Sequence, residues 1–174
     1  MHTATPYIRD LVLVGGGHAH ALVLRKWGMR PLPGVRLTVI DPTPVTAYSG
    51  MLPGFVAGHY PMAALEIDLV KLARFANARL VIAPAIGLDP GARSIEVPGR
   101  APIRFDVASL NLGITARMPD LPGFTEFACP AKPLAIFAQR WDGFVAQVAT
   151  GELVPQVVMI GGGIAMFALF MRIQ

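Results

Sequence analysis

Cysteine is nearly missing from this chain: Cys129 stands alone among 174 residues. A disulfide framework and an internal CxxC redox pair are excluded, and a reducing, cytoplasmic setting fits. Charge is sparse too, at 15% of residues. Its 12 Arg and 3 Lys against 11 acids leave a net charge of +4, but the arginines stand singly from Arg9 to Arg172. A nucleic-acid footprint clusters its bases, so no such partner is expected. No apolar run reaches the roughly 20 residues that span a bilayer. The longest, Val157 to Met171, has 15 residues and includes three glycines. The opening "MHTATPYIRD" has no apolar core of signal-peptide length, which argues against secretion.

What is present is an apolar chain, 53% hydrophobic with 18 Gly and 16 Pro, a composition that suits a folded α/β protein and not a disordered one. Leu11 to Val14 reads as an all-apolar strand of a parallel sheet covered on both faces. Ala19 to Trp27 reads as a helix stopped by Gly28, and Val35 to Ile40 as a second strand ending at Asp41. These make a βαβ unit about 30 residues long. Residues 42–61 read as a long loop, of the kind that is usually functional. Asp68 to Ala76 has helical spacing, with Asp68 as a cap or first-turn acid. Strands are expected at Arg79 to Ala85, Ser94 to Val97 and Arg104 to Leu112, forming a small antiparallel meander around the turn signal "DPGAR". Pro133 to Val148 reads as a helix, and Val157 to Ile160 repeats the strand-then-glycine layout.

The first glycine hinge carries the chemistry. Gly15-Gly16-Gly17-His18-Ala19-His20 matches G-x-G-x-x-(G or variant) between a strand and a helix. Gly15 permits the tight turn and Gly17 lets the backbone approach a pyrophosphate. The helix start near His18 aims its N–H groups and positive dipole end at the anion. Asp41, 24 residues beyond Gly17, falls where a carboxylate accepts ribose hydroxyls. His20 replaces the third glycine, so either the helix stands off from the strand or the imidazole points away from it. A metal reading of His18 and His20 fails on spacing, since i and i+2 side chains do not face one another and no further ligand cluster accompanies them.

The stretches "LVLVGGGHAH", "LTVIDPTPVTAYSGMLPGFVAGHY", "ASLNLGITARMPDLPG" and "AKPLAIFAQRW" resemble the FAD-dependent pyridine nucleotide-disulfide oxidoreductase superfamily. The likeness is to its NADH dehydrogenase-like branch, including flavoprotein modules fused to selenide, water dikinase. It covers nearly all of residues 8–163. The resemblance implies a Rossmann-like FAD-binding unit with a parallel sheet, a small antiparallel meander and the start of a second Rossmann unit. It implies that Gly15, Gly17, His18 and Ala19 hold the FAD pyrophosphate and that Asp41, followed by Pro42, binds the adenosine ribose. Tyr48, Ser49, Met51 and Leu52 would lie toward the flavin, with Ala85 and Ile86 on the adenine side through backbone. Gly113 matches the glycine of the second FAD signature, although Leu112 replaces its usual Thr. Hydride would pass from NAD(P)H to the flavin and on to a small-molecule acceptor such as a quinone. The lone Cys129 gives no support to dithiol chemistry.

Gly161 and Gly163 would open the NAD(P)H site, but Met166 and Ala168 stand where that pattern expects a glycine and an acid. The implied organisation is therefore an N-terminal part of an FAD-binding domain over 1–150 and the start of an NAD(P)H-binding domain over 151–174. Such a chain is expected to be an incomplete N-terminal portion of its enzyme, with a cytoplasmic location, peripheral association with the inner membrane face, and partnership or fusion with selenide, water dikinase as further implications. Two rival readings remain: a Rossmann module that binds a nucleotide without flavin chemistry, and a membrane or partner-interaction fragment using residues 157–171. No metal site is expected, and the residues single out no catalytic side chain.

Overall fold

The apolar run after Arg9 forms strand β1 (Arg9–Val14) because both of its faces are covered. In the computed structural model, which describes residues 6–113 and 120–161, helix α1 (His18–Met29) and strand β2 (Val35–Asp41) follow. Then come β3 (Val45–Ala47), α2 (Leu52–Val56), β4 (Glu66–Asp68), α3 (Leu69–Phe75) and β5 (Arg79–Ile82). The remaining elements are β6 (Gly87–Asp89), β7 (Ser94–Glu96), β8 (Ile103–Arg104), β9 (Val107–Leu110), α4 (Phe124–Phe127) and α5 (Leu134–Ala149). The chain divides into two compact units, one made of Met1–Thr46 and Ile67–Gly113, the other of Ala47–Glu66 and Ile114–Gln174.

In the first unit four parallel strands run in the order β5-β2-β1-β9. Alternation along β1 sends Leu13 to one face, where it packs with Leu24 of α1, Leu37 and Val39 of β2, and Leu69 and Ala76 at either end of α3. Val12 and Val14 turn to the other face and meet Ile40, Val81 and the meander residues Ile95, Val97 and Ile103. Helices thus cover one side and the antiparallel sheet β6-β7-β8 the other, which is why β1 carries no polar alternation after Asp10. Burying each of these Val, Leu and Ile side chains contributes about 1.5–3 kcal/mol before the entropy cost of ordering it.

Several sequence expectations change. Gly28 does not stop α1, which continues through Met29; a Cβ on Gly28 would strike the Phe75 ring, so glycine there admits α3. The expected strand over 104–112 is two strands in two sheets, with β8 in the meander and β9 beside β1. The break falls at Phe105 and Asp106, because Asp106 exchanges backbone and carboxylate hydrogen bonds with Asp10 and so starts a new parallel pairing. Likewise β5 joins the parallel sheet through β2, and the meander's first strand is β6 instead. Residues 42–61 hold β3, a 3-10 turn at Ser49–Met51 and α2, not a plain loop.

The second unit has its own core of Leu52, Phe55, Val56, Leu65, Leu134 and Ala138, joined by Met62, Phe137, Trp141 and Met159. Helix α5, expected over Pro133 to Val148, contributes an apolar stripe, with the Phe137 and Trp141 rings stacked at 6.3 Å. Residues 154–161 form no strand in the described structure. A parallel strand needs a neighbour to pair with, and none of the described strands pairs with this stretch. Gly162 and Gly163, with the following residues to 174, lie outside the described residues.

Candidate functional site

Strand order reverses at β1: β2 lies on one side of it and β9 on the other. The carboxyl ends of β1 and β9 therefore border the switch point, where open α/β sheets bind ligands. The β1–α1 turn sits there. Gly15 takes φ +89, a left-handed conformation that disfavours other residues, and a Cβ there would strike the Asn111 carbonyl. A Cβ on Gly16 would strike Leu69 of α3, and one on Gly17 would come within 2.8 Å of the Asn111 side-chain amide nitrogen. Each glycine thus has its own steric reason. Gly17 is the N-cap of α1, contributes no side chain to it, and the first turn holds no acid. Neither a side-chain cap nor a first-turn acid therefore offsets the positive dipole end of this helix.

Asp41 ends β2 and is 7% exposed. Its Oδ2 accepts the Gly16 N–H at 2.6 Å and its Oδ1 accepts the Thr43 N–H at 2.8 Å. The Thr43 hydroxyl lies 2.9 Å from Oδ1 and 2.7 Å from the Val45 carbonyl, with one hydrogen to share between them. A carboxylate offers about four acceptor positions, so one remains for a sugar hydroxyl. Asp41 is first a pin that holds the glycine turn to β2.

His20 neither stands off nor points away. Its ring is 2% exposed and turned inward, with Nδ1 at 2.6 Å from the Gly15 carbonyl and Nε2 at 2.9 Å from the Ser109 hydroxyl. A carbonyl only accepts, so Nδ1 carries the hydrogen and donates it to Gly15, while Nε2 pairs with the Ser109 hydroxyl. The residue that breaks the glycine pattern ties the turn to β9.

Gly15, Gly17, His18, Ala19, Asp41, Pro42, Ala85, Ile86 and Gly113 fall in the first unit. His18 and Ala19 open α1 and are exposed, as are Pro42 and Gly113. Ala85 packs on the core beneath the meander. Ile86 presents an exposed side chain, and its N–H is engaged by the Glu96 carbonyl at 2.9 Å. Tyr48, Ser49, Met51, Leu52 and Gly161 belong to the second unit. There Leu52 is buried in the core with Met51 beside it, while Ser49 is exposed. The Tyr48 N–H donates to the Leu65 carbonyl at 2.6 Å, and its ring lies over Gly50. Gly161 has φ +140, and Gly163 is outside the described residues. Sequence reasoning missed Gly16, Thr43, Ser109 and Asn111. The signal for Asn111 was its place at the end of a strand next to β1, which required that strand to be assigned to the parallel sheet. Among the described residues no group of three or more His, Cys, Asp or Glu could hold a metal ion.

The turn fits the diphosphate part of a dinucleotide: a glycine cradle that side chains would fill, a helix start without a side-chain cap, and an Asn111 Nδ2 that is buried without a partner among the described residues. No protein-family model and no curated protein matches the chain. Solved structures do. The water-forming NADH oxidase from Lactobacillus brevis, bound to NADH, superposes with a TM-score of 0.65 at 18% identity, over 95% of this chain and 37% of its own. NDH2 from Plasmodium falciparum in complex with NADH gives 0.65 at 12% identity, over 86% of this chain and 31% of its own. The sulfide:quinone oxidoreductase from the hyperthermophilic bacterium Aquifex aeolicus gives 0.58 at 18% identity, over 79% and 32%. The fold is therefore Rossmann-like α/β, which agrees with the fold that the resemblance read from the sequence implies. The chain spans about a third of the length of each of these three structures.

Proposed function

We propose that this chain is part of an FAD-dependent NAD(P)H oxidoreductase and that its first unit holds the adenosine diphosphate moiety of FAD. The carrying observation is the glycine turn at the switch point, with no side-chain cap on α1 and Asp41 fastened beside it. Backbone of Gly15 to Ala19 would cradle the diphosphate, and Asp41 would use its remaining acceptor position for the ribose, with Pro42 beside it. Gly113 would border the same cleft, and Ala85 and Ile86 would flank the adenine. Tyr48, Ser49, Met51 and Leu52 would serve the flavin side, and Gly161 and Gly163 the nicotinamide side. FAD, once bound, supplies hydride acceptance from a nicotinamide and onward transfer. Residues 1–150 would then belong to the FAD-binding domain and 151–174 to the NAD(P)H-binding one. A quinone is the acceptor this reading favours, by analogy with the sulfide:quinone oxidoreductase match.

Titration of the protein with FAD, followed by quenching of flavin fluorescence, tests the reading. Saturable binding that ADP displaces is expected, and it should be lost in Gly15→Ala. An absence of FAD binding by the wild-type chain under conditions where it is folded would refute it.

A further inference from the structure

Asn111 presents a side-chain nitrogen that is buried and has no hydrogen-bond partner among the described residues. Such groups are uncommon in native proteins, where buried polar atoms are paired. The backbone offers no relief by moving, because the Asn111 N–H is committed to the Val14 carbonyl at 2.8 Å and the Asn111 carbonyl abuts Gly15. The side chain is thereby held over Gly17: a Cβ built on that glycine would lie 2.8 Å from Nδ2 and 3.3 Å from Cγ. Gly17 thus makes room for an amide as well as for a ligand. Because Gly17 is the N-cap of α1, the amide donor and the helix dipole meet at the same place.

We infer that Asn111 is a phosphate-binding residue, whose amide N–H donates to a diphosphate oxygen seated at the start of α1. The inference rests on the dinucleotide reading above and adds a side-chain donor from β9's end to a site otherwise made of backbone. A hydrogen bond to an ionised phosphate oxygen is the stronger, charge-assisted kind. It would also satisfy the nitrogen that has no partner among the described residues.

The test compares the wild type with Asn111→Ala and Asn111→Asp by calorimetric titration with ADP and with adenosine, alongside melting temperatures without ligand. For Asn111→Ala the expected result is about a tenfold loss of ADP affinity, little change toward adenosine, and a ligand-free melting temperature equal to or above the wild type's. Asn111→Asp, which sets a negative oxygen beside the phosphate, should lose more. Unchanged ADP affinity in Asn111→Ala would overturn the inference while leaving the dinucleotide reading intact. Equal losses toward ADP and adenosine with a lowered melting temperature would also overturn it, since that is the pattern of a purely structural residue. If the wild type binds neither ADP nor FAD, both readings fall.

Discussion

Replacing His20 by alanine should destabilise the first unit by about 3 kcal/mol. The imidazole is 2% exposed and bonded at both nitrogens, at 2.6 Å to Gly15 and 2.9 Å to Ser109. Two neutral hydrogen bonds contribute about 1 kcal/mol each, and the space vacated between α1 and β9 adds about 1–2 kcal/mol because packed surroundings relax only in part. Ser109 is exposed and can turn to water, which trims the total slightly. In a chain of this length that loss corresponds to about 6–12 °C in melting temperature. Trp27 packs in the core of the first unit and Trp141 in that of the second, so a Trp141→Phe background lets fluorescence report the first unit's unfolding in urea. His20→Gly would complete the glycine pattern of the motif, yet it should be worse than alanine by about 1 kcal/mol, as glycine is in a helix interior. A gain in stability from His20→Gly, or a loss below about 1 kcal/mol from His20→Ala, would refute the assignment of this ring as a tie between turn and sheet.

Three further outcomes are expected. Gly28→Ala should destabilise by about 1–3 kcal/mol in urea unfolding, because the new methyl meets the Phe75 ring and the Phe75 carbonyl; helix propensity alone would predict a gain of about 1 kcal/mol, so the sign decides. Gly15→Ala, forced to keep a left-handed φ beside the Asn111 carbonyl, should cost about 1–3 kcal/mol in the same assay, and an unaltered unfolding midpoint would count against that turn geometry. The Asp68 carboxyl caps α3, and the Lys71 backbone N–H that it accepts is the main reason its pKa lies below the usual 3.8. A group depressed in the native state stabilises above its unfolded pKa and ceases to do so as the pH falls through the native one. The melting-temperature gap between wild type and Asp68→Asn should therefore be widest near neutrality and close under acid; a gap that widens on acidification would contradict the cap.

The local pieces of the fold were readable in the residues. The apolar run to Val14, the glycines behind it and the β-branched run to Ile40 each satisfy a short-range rule, and the parallel β1–β2 pairing follows from them. What could not be read is sheet membership. Residues 104–112 show one continuous strand-like pattern, and only the long-range bonding of Asp106 to Asp10 reveals that the chain changes sheets within it. The same limit hid Asn111, whose importance comes from being the neighbour of Gly15 across two strands. Gly28 misled because glycine near a helix end commonly marks a stop, whereas here the demand for it comes from Phe75, far along the chain. His20 posed the reverse problem: motif logic assumed the third position must be empty, and β9 supplies a partner that makes a large polar ring fit.

The same long-range bonds change what Asp41 means for the site. Motif reasoning treats the acid at the end of β2 as a ligand group and the glycines as a separate turn. In the structure the two are fastened together, for Asp41 Oδ2 accepts the Gly16 N–H, and Gly16 in turn is wedged against Leu69, a fully buried residue of α3. Movement of the carboxylate must therefore disturb the turn, and movement of the turn must disturb the α3 packing. On the dinucleotide reading proposed above, the approach of a sugar hydroxyl to Asp41 and of a phosphate to Gly17 would not be independent events, because a ligand that stiffens the Asp41–Gly16 link at one end would lower the ordering cost at the other. The expected outcome is that ADP, which would engage both ends at once, protects the fold against urea at concentrations where inorganic phosphate does not; equal protection by the two would refute the coupling.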